Sequence, residues 1–229
     1  MKIDGEKVNG VFEKRLNRFV ASVKINDKPE NVHVPNSGRL KELLTPGARV
    51  ILQKALNPHR KYPYDLIMVY KGNTLISIDS TLPSRLLASE LSKKKLLKLD
   101  YDFVKTEVSY GNSRFDVALG NDGEIFYYME VKGVTLVEEG KALFPDAPTE
   151  RGAKHMMELA KAKKEGFGAG VFFVVQRDDA EIFSPNDSMD ENFGKALRVA
   201  ANAGVELFAY SCRVTQDEVV LLRPLPVKL

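Results

Sequence analysis

Between positions 168 and 176 the chain reads Gly-Ala-Gly-Val-Phe-Phe-Val-Val-Gln, nine residues without a charge. A strand with one wet face alternates apolar and polar residues, so an unbroken apolar run predicts a strand covered on both faces. Such a strand needs helices to cover it, and the neighbouring sequence supplies them. Ser84 is placed to cap a helix over 84–98, where Leu86, Leu87, Glu90, Leu91, Leu96 and Leu97 fall roughly at helical spacing, with the Lys93-Lys-Lys95 run inside it. Pro148-Thr149-Glu150 opens a second helix that runs to Glu165, and 189–203 reads as a third, stopped by Gly204. Strand candidates occupy 103–110, 114–119, 124–136 and 205–210. From 84 onward the order is helix, three strands, helix, strand, helix, strand, which is a mixed α/β layer domain spanning 83–229.

The segment before it has a different character. Short β-prone stretches at 18–25, 30–34, 49–54, 65–70 and 75–78 are separated by Asn26-Asp27, Pro35-Asn-Ser-Gly38, one helical turn at 39–44 and Thr45-Pro46-Gly47. Five short strands in about 80 residues suggest an OB-like barrel over 1–82, with a small open sandwich as the alternative. The whole is therefore a two-domain α/β (α+β) protein.

With 229 residues, 44% of them hydrophobic and 28% charged, the chain can bury a core without covalent staples. The single cysteine, Cys212, excludes an intramolecular disulfide framework and fits a reducing compartment. MKIDGEKVNG lacks the apolar region of a secretory signal, and no run approaches the roughly 18 apolar residues of a membrane span. A cytoplasmic protein with no membrane partner is expected. The net charge of +3 conceals an asymmetry. Residues 1–100 hold 19 Lys and Arg against 10 Asp and Glu, whereas 101–229 hold 15 against 21. A basic half beside an acidic half suggests an anion-binding surface joined to something that uses carboxylates.

Those carboxylates concentrate interest on 114–132. Residues two apart on a strand share a face, so Glu130 and Lys132 point one way while Met129 and Val131 point the other. Both charges interrupt an apolar strand, where an unused charge is costly. Spacing alone is a weak signal, since chance predicts about three acidic-x-Lys triplets here. Whether Asp116 joins them depends on the hairpin at Gly120-Asn-Asp-Gly123. A two-residue tip at Asn121-Asp122 sets Asp116 opposite Tyr127, on the wrong face. An odd loop or a bulge at Gly120 or Gly123 sets it opposite Tyr128 and diagonal to Glu130. The second register brings two carboxylates within reach of one hard cation, Mg²⁺ or Mn²⁺. A cation so held lowers the pKa of water and polarises a phosphodiester, and Lys132 is suited to orient the water and offset developing charge. A two-residue hairpin excludes this site.

Other candidates surround it. Glu90 on the first helix and Glu107 on the first strand are possible further ligands. Arg151, Lys154 and His155 share a helix face, near an N-terminus that favours phosphate. His155 reads as a general acid or as a surface histidine. In the barrel, Lys14, Arg15, Arg18, Arg60 and Lys61 interleave with Phe12, Phe19, Tyr62 and Tyr64, the mixture by which OB barrels bind single strands, and Arg39, after the Pro35-Asn-Ser-Gly38 loop, is placed for phosphate contact. Phe19 is expected in the barrel core.

The segment Phe144-Pro-Asp-Ala-Pro-Thr-Glu-Arg-Gly-Ala-Lys-His155 resembles the hallmark of the sugar fermentation stimulation protein A family. Pro35-Asn-Ser-Gly38, Arg60-Lys-Tyr-Pro63, Phe115-Asp116 and Met129-Glu-Val-Lys132 extend the resemblance over nearly the whole chain. It implies an N-terminal OB-like domain and a C-terminal domain similar to the PD-(D/E)xK nucleases. Asp116 then matches the aspartate of that pattern, and Glu130 and Lys132 match its ExK, although Phe115 stands where the pattern has proline. The resemblance also implies DNA binding, RNA not being excluded, and a role in regulating sugar (maltose) metabolism. Two functions follow: a metal-dependent nuclease, or a DNA-binding regulator that does not cleave. A sugar enzyme has little support, since no tryptophan is present to stack on a sugar ring.

Overall fold

The computed structural model describes residues 1–57, 59–94 and 96–229. Pro58, in the basic–aromatic segment 57–64, and Lys95, in the lysine run, lie outside the described residues. Six strands form the N-terminal sheet: β1 (Lys7–Asn17), β2 (Val20–Ile25), β3 (Lys28–His33), β4 (Arg49–Lys54), β5 (Tyr64–Lys71) and β6 (Thr74–Ser77), in the order β3-β2-β1-β4-β5-β6. A parallel pairing of β3 with β5 through His33 and Asp65 closes the first five into an OB barrel. His33 Nδ1 lies 2.7 Å from Asp65 Oδ1, and Arg60 donates to both Asp65 oxygens at 2.7 and 2.8 Å, so three side chains clamp the closing seam. The barrel core holds Phe12, Val23, Val32, Leu52, Leu66 and Val69, capped by Leu40 and Leu43 from the single turn after β3.

The expected count of five strands was met by a different set. β1 carries Lys7, Glu13, Lys14 and Arg15, with only Gly10 and Phe12 buried, so its sequence has no apolar face to announce it. The fifth expected stretch, 75–78, is instead a sixth strand hairpinned onto β5 that leads into the second domain.

There, α1 (Leu82–Ser92) packs on one side of a six-stranded sheet, with α2 (Glu150–Lys164) and α3 (Glu191–Asn202) on the other. The strands are β7 (Phe103–Tyr110), β8 (Ser113–Asn121), β9 (Glu124–Val134), β12 (Gly168–Val175), β14 (Glu206–Val214) and β15 (Val219–Pro224), in the order β15-β14-β12-β9-β8-β7. β12, the uncharged run, lies between β9 and β14 and parallel to both. Phe172 and Val174 meet the α1 layer, while Val171, Phe173 and Val175 meet α2 and α3. A small second sheet of β10 (Val137–Glu138), β11 (Lys141–Phe144) and β13 (Ile182–Pro185) lies outside the main sheet. None of its strands exceeds four residues, too short for a periodic signal.

Two helix boundaries differ from expectation. α1 starts at Leu82 with Pro83 in its first turn, so Ser84 sits inside the helix and caps nothing. It stops at Ser92, where Lys94 adopts φ +56°, and Leu96 and Leu97 fall beyond it. α2 begins as expected: the Thr149 hydroxyl accepts from the Gly152 N–H at 3.0 Å. Among the described residues no helix is long and apolar enough to cross a membrane.

Candidate metal and nucleic-acid site

The hairpin of β8 and β9 sets the geometry. Its tip is two residues, Asp122 and Gly123, since Asn121 pairs with Glu124; a bulge follows between Leu119 and Gly120, beyond which Val117 pairs with Met129. Tip and bulge together move the register further than expected. Continued one step past that last pair, the register sets Asp116 against Glu130 itself rather than against Tyr128. The shift keeps the required parity, so both carboxylates share a face. That face is the α2 side, where Ala118 and Tyr128 also lie, while Met129 and Val131 pack toward α1.

At Asp116 the backbone ladder stops and the side chain takes over. Asp116 Oδ2 accepts from the Val131 N–H at 2.7 Å. Glu130 is 3% exposed. Its Oε1 receives Lys132 Nζ at 2.6 Å and His155 Nδ1 at 2.5 Å. Its Oε2 is buried with no hydrogen-bond partner. His155, on α2, is itself only 4% exposed, and its Nε2 accepts from Arg151 Nε at 3.4 Å. Burial and the adjacent Glu130 carboxylate push Asp116 up to about 6, against the pull of the Val131 N–H. Burial would also raise Glu130, but the bonds from His155 and Lys132 more than offset it and hold it below the usual range.

The arrangement fits a hard divalent cation. Two carboxylates from adjacent strands each commit one oxygen to the protein and keep one unused, and the unused Glu130 oxygen is a buried orphan. Such an orphan is costly unless something occupies it. Among the described residues no three or more of His, Cys, Asp and Glu are placed to hold one metal ion together, so water and substrate would complete the shell. Glu90 is on α1, across the sheet, and pairs with Lys93 at 2.7 Å. Glu107, at φ +55° on β7, pairs with Arg114 at 2.8 Å and adds to the negative field at Asp116.

The basic candidates divide. Arg15 spends its guanidinium on the carbonyls of Asn36, Gly38 and Arg18. Arg60 is committed to Asp65. Lys14, Arg39 and Lys61 are exposed, Lys61 lying over the Tyr62 ring. Lys154 reaches the Asn112 carbonyl and Arg151 the buried histidine. Phe12 is core, but Phe19 is 47% exposed in the β1–β2 turn, with Arg18 over its ring. That overturns its expected burial, because the turn carries it off the barrel. His155 is likewise no surface residue. Its place on the stripe Gly152, His155, Met156, Leu159 at three- and four-residue steps was the available signal.

A cleft of about 270 Å³ opens between the domains, lined by Arg18, Asn36 and Gly38 from the barrel and by Gly133, Phe144 and Thr149 from the α/β domain. Gly133 follows Lys132, and Thr149 caps the helix that carries His155. Segment 144–155 thus runs from the cleft wall into the carboxylate site.

Barrel, cleft and carboxylate strand define a two-domain protein whose OB module is of a kind that suggests nucleic-acid binding. The comparisons agree: the SfsA N-terminal OB domain matches residues 14–78, and the sugar fermentation stimulation protein RE domain matches 81–218. A sugar fermentation stimulation protein homolog of Clostridium perfringens is 49% identical over the full length of both chains. One of Alkaliphilus metalliredigens is 51% identical over 96% of this chain and 95% of its own. The Pyrococcus furiosus SfsA structure, in complex with Ca²⁺, superposes with a TM-score of 0.91 at 27% identity, covering 100% of this chain and 98% of that one. The chain belongs to the sugar fermentation stimulation protein family.

Proposed function

We propose that the chain is a metal-dependent nuclease of the cytoplasm, of PD-(D/E)xK type, acting on DNA or RNA held in part by the barrel. The observation that carries this reading is the carboxylate pair, Asp116 and Glu130, on one face of neighbouring strands with one unused oxygen each and Lys132 beside them. The relative solved with Ca²⁺ supports uptake of a divalent cation by this fold. Mg²⁺ or Mn²⁺ held by Asp116 and Glu130 would polarise a phosphodiester and acidify water. The chain's own groups do the rest. Lys132, anchored on Glu130, places a positive charge where negative charge develops on the phosphorus centre. The start of α2, with Arg151 and Lys154 exposed on it, offers an anion a positive helix end. Lys14, Arg18, Arg39 and Lys61 supply backbone contacts on the barrel.

The test is binding and cleavage of labelled single- and double-stranded DNA and RNA with Mg²⁺, Mn²⁺ or EDTA, for wild type and Lys132→Ala. Metal-dependent cleavage that falls at least about a hundredfold in Lys132→Ala, with binding retained, is the expected result. Tight binding without cleavage under either metal would replace this reading with that of a DNA-binding regulator of sugar metabolism.

A further inference from the structure

The two oxygens of Glu130 have different fates, and His155 is the reason. Lys132 and His155 both donate to Oε1, leaving Oε2 buried and unpartnered. Lys132 is a flexible ammonium on the same strand as Glu130 and by itself follows the carboxylate wherever it turns. His155 is different. It is a rigid ring on another element, packed edge-on against Phe115 at 6.2 Å between ring centres. Its proton is also assigned by its other neighbour: a guanidinium only donates, so the Arg151 contact requires a lone pair on Nε2 and leaves the hydrogen on Nδ1. Arg151, His155 and Glu130 therefore form a directed chain of hydrogen bonds from the surface to one carboxylate oxygen.

Resting on the metal reading above, we propose that His155 is a positioning residue that holds Glu130 in a one-oxygen binding mode. With Oε1 pinned, Glu130 offers a cation Oε2 alone, just as Asp116, pinned through Oδ2 by Val131, offers Oδ1 alone. Two single-oxygen ligands suit a small octahedral ion that keeps its waters, the preference of Mg²⁺ and Mn²⁺. A carboxylate turned to present both oxygens suits the larger Ca²⁺. The histidine thus governs which ion the pair prefers as well as how tightly it is bound.

The experiment measures Mn²⁺ and Ca²⁺ affinity by titration calorimetry on the full chain, with fold checked by circular dichroism. In His155→Leu, Mn²⁺ affinity falls about tenfold or more while Ca²⁺ affinity falls less. His155→Asn, whose amide nitrogen comes near the Nδ1 position, restores the Mn²⁺ preference; His155→Gln, which reaches toward the Nε2 position, does not. The latter pair keeps the test alive if the leucine variant fails to fold. Equal losses for both ions, or no loss in a folded His155→Leu, overturn the proposal. A metal-free arm reads the imidazole ¹⁵N shifts: the hydrogen is expected on Nδ1 and its resonance moves in Glu130→Gln. A hydrogen on Nε2 instead overturns the proposal whatever the metal does. If the wild type binds no Mn²⁺ although the Nδ1 hydrogen is in place, the metal reading itself has failed, and the role given to His155 falls with it.

Discussion

Arg177 is 3% exposed, and its charge is tolerated because Asp179 meets it with both oxygens at 2.6 Å while Nη1 donates to the Thr135 carbonyl at 3.0 Å. The residue joins three strand ends: its side chain reaches the segment after β9, its own position follows β12, and its carbonyl accepts from Cys212 on β14 at 3.1 Å. Removing Asp179 leaves a buried guanidinium with one carbonyl for company. Asp179→Ala is expected to destabilise by about 1–3 kcal/mol at pH 7 in urea unfolding, toward the lower figure because the carboxylate is partly exposed and screened. The pH dependence has a definite sign. The Arg177 guanidinium, above all, holds the Asp179 carboxyl below its ordinary value. A depressed folded value means that the stabilisation is complete above the unfolded pKa, about 3.9, and is lost as pH falls through the folded one. The gap between wild type and Asp179→Ala should therefore narrow below about pH 4. A gap unchanged by acid would show that Asp179 acts through packing rather than charge.

The β8–β9 hairpin decides whether a site exists, and its register is held by a glycine. A Cβ on Gly120 would lie 2.1 Å from Phe103 Cζ and 2.4 Å from the Glu124 carbonyl oxygen, so the bulge closes only around a residue without a side chain. Gly120→Ala should cost about 1–3 kcal/mol, measured as a lowered urea midpoint. It should also weaken Mn²⁺ binding, because the strain sits four residues from Asp116 in the strand that carries it. This element shows what a sequence gives up readily and what it withholds. Period-two alternation put Glu130 and Lys132 on one face, and Gly120 was legible as a place for irregularity, although the extra residue of the bulge is Phe126 on β9, opposite it. The size of the register shift was not, because tip residues and bulge combine and only their sum places Asp116. β1 was illegible for another reason: Gly10 and Phe12 are its only fully buried residues, and pairing with β2 and β4 makes it a strand. The bond from His155 to Glu130 crosses 25 residues and two elements, and no local pattern encodes such a contact.

At the scale of the molecule the charge asymmetry acquires a geometry. The basic half is largely the barrel, the acidic half is the sheet domain that holds the carboxylate pair, and the two meet at the cleft. They are joined firmly there: the Ser77 N–H donates to the Gln176 carbonyl at 3.1 Å, and Gln176 Nε2 donates to the Ser77 hydroxyl and the Asp79 carbonyl, each at 3.1 Å. A strand that touches both domains is thus held by a fixed frame. The exposed Phe19 ring stands in the turn beside Arg18, and Arg18 lines the cleft whose far wall is Gly133 and Thr149. If the proposed nucleic-acid binding holds, an exposed ring beside a guanidinium would serve as a stacking platform for an unpaired base, worth about 1–3 kcal/mol per base. Phe19→Ala is therefore expected to weaken single-stranded DNA binding by roughly 5- to 100-fold in fluorescence anisotropy, with less effect on a duplex, whose bases are already stacked. Mn²⁺ affinity should not change, since the ring is on the other domain from Asp116 and Glu130. Equal losses on single and double strands would instead make this turn a backbone contact, and retained affinity on both would route the strand to the carboxylates by a path that avoids the cleft.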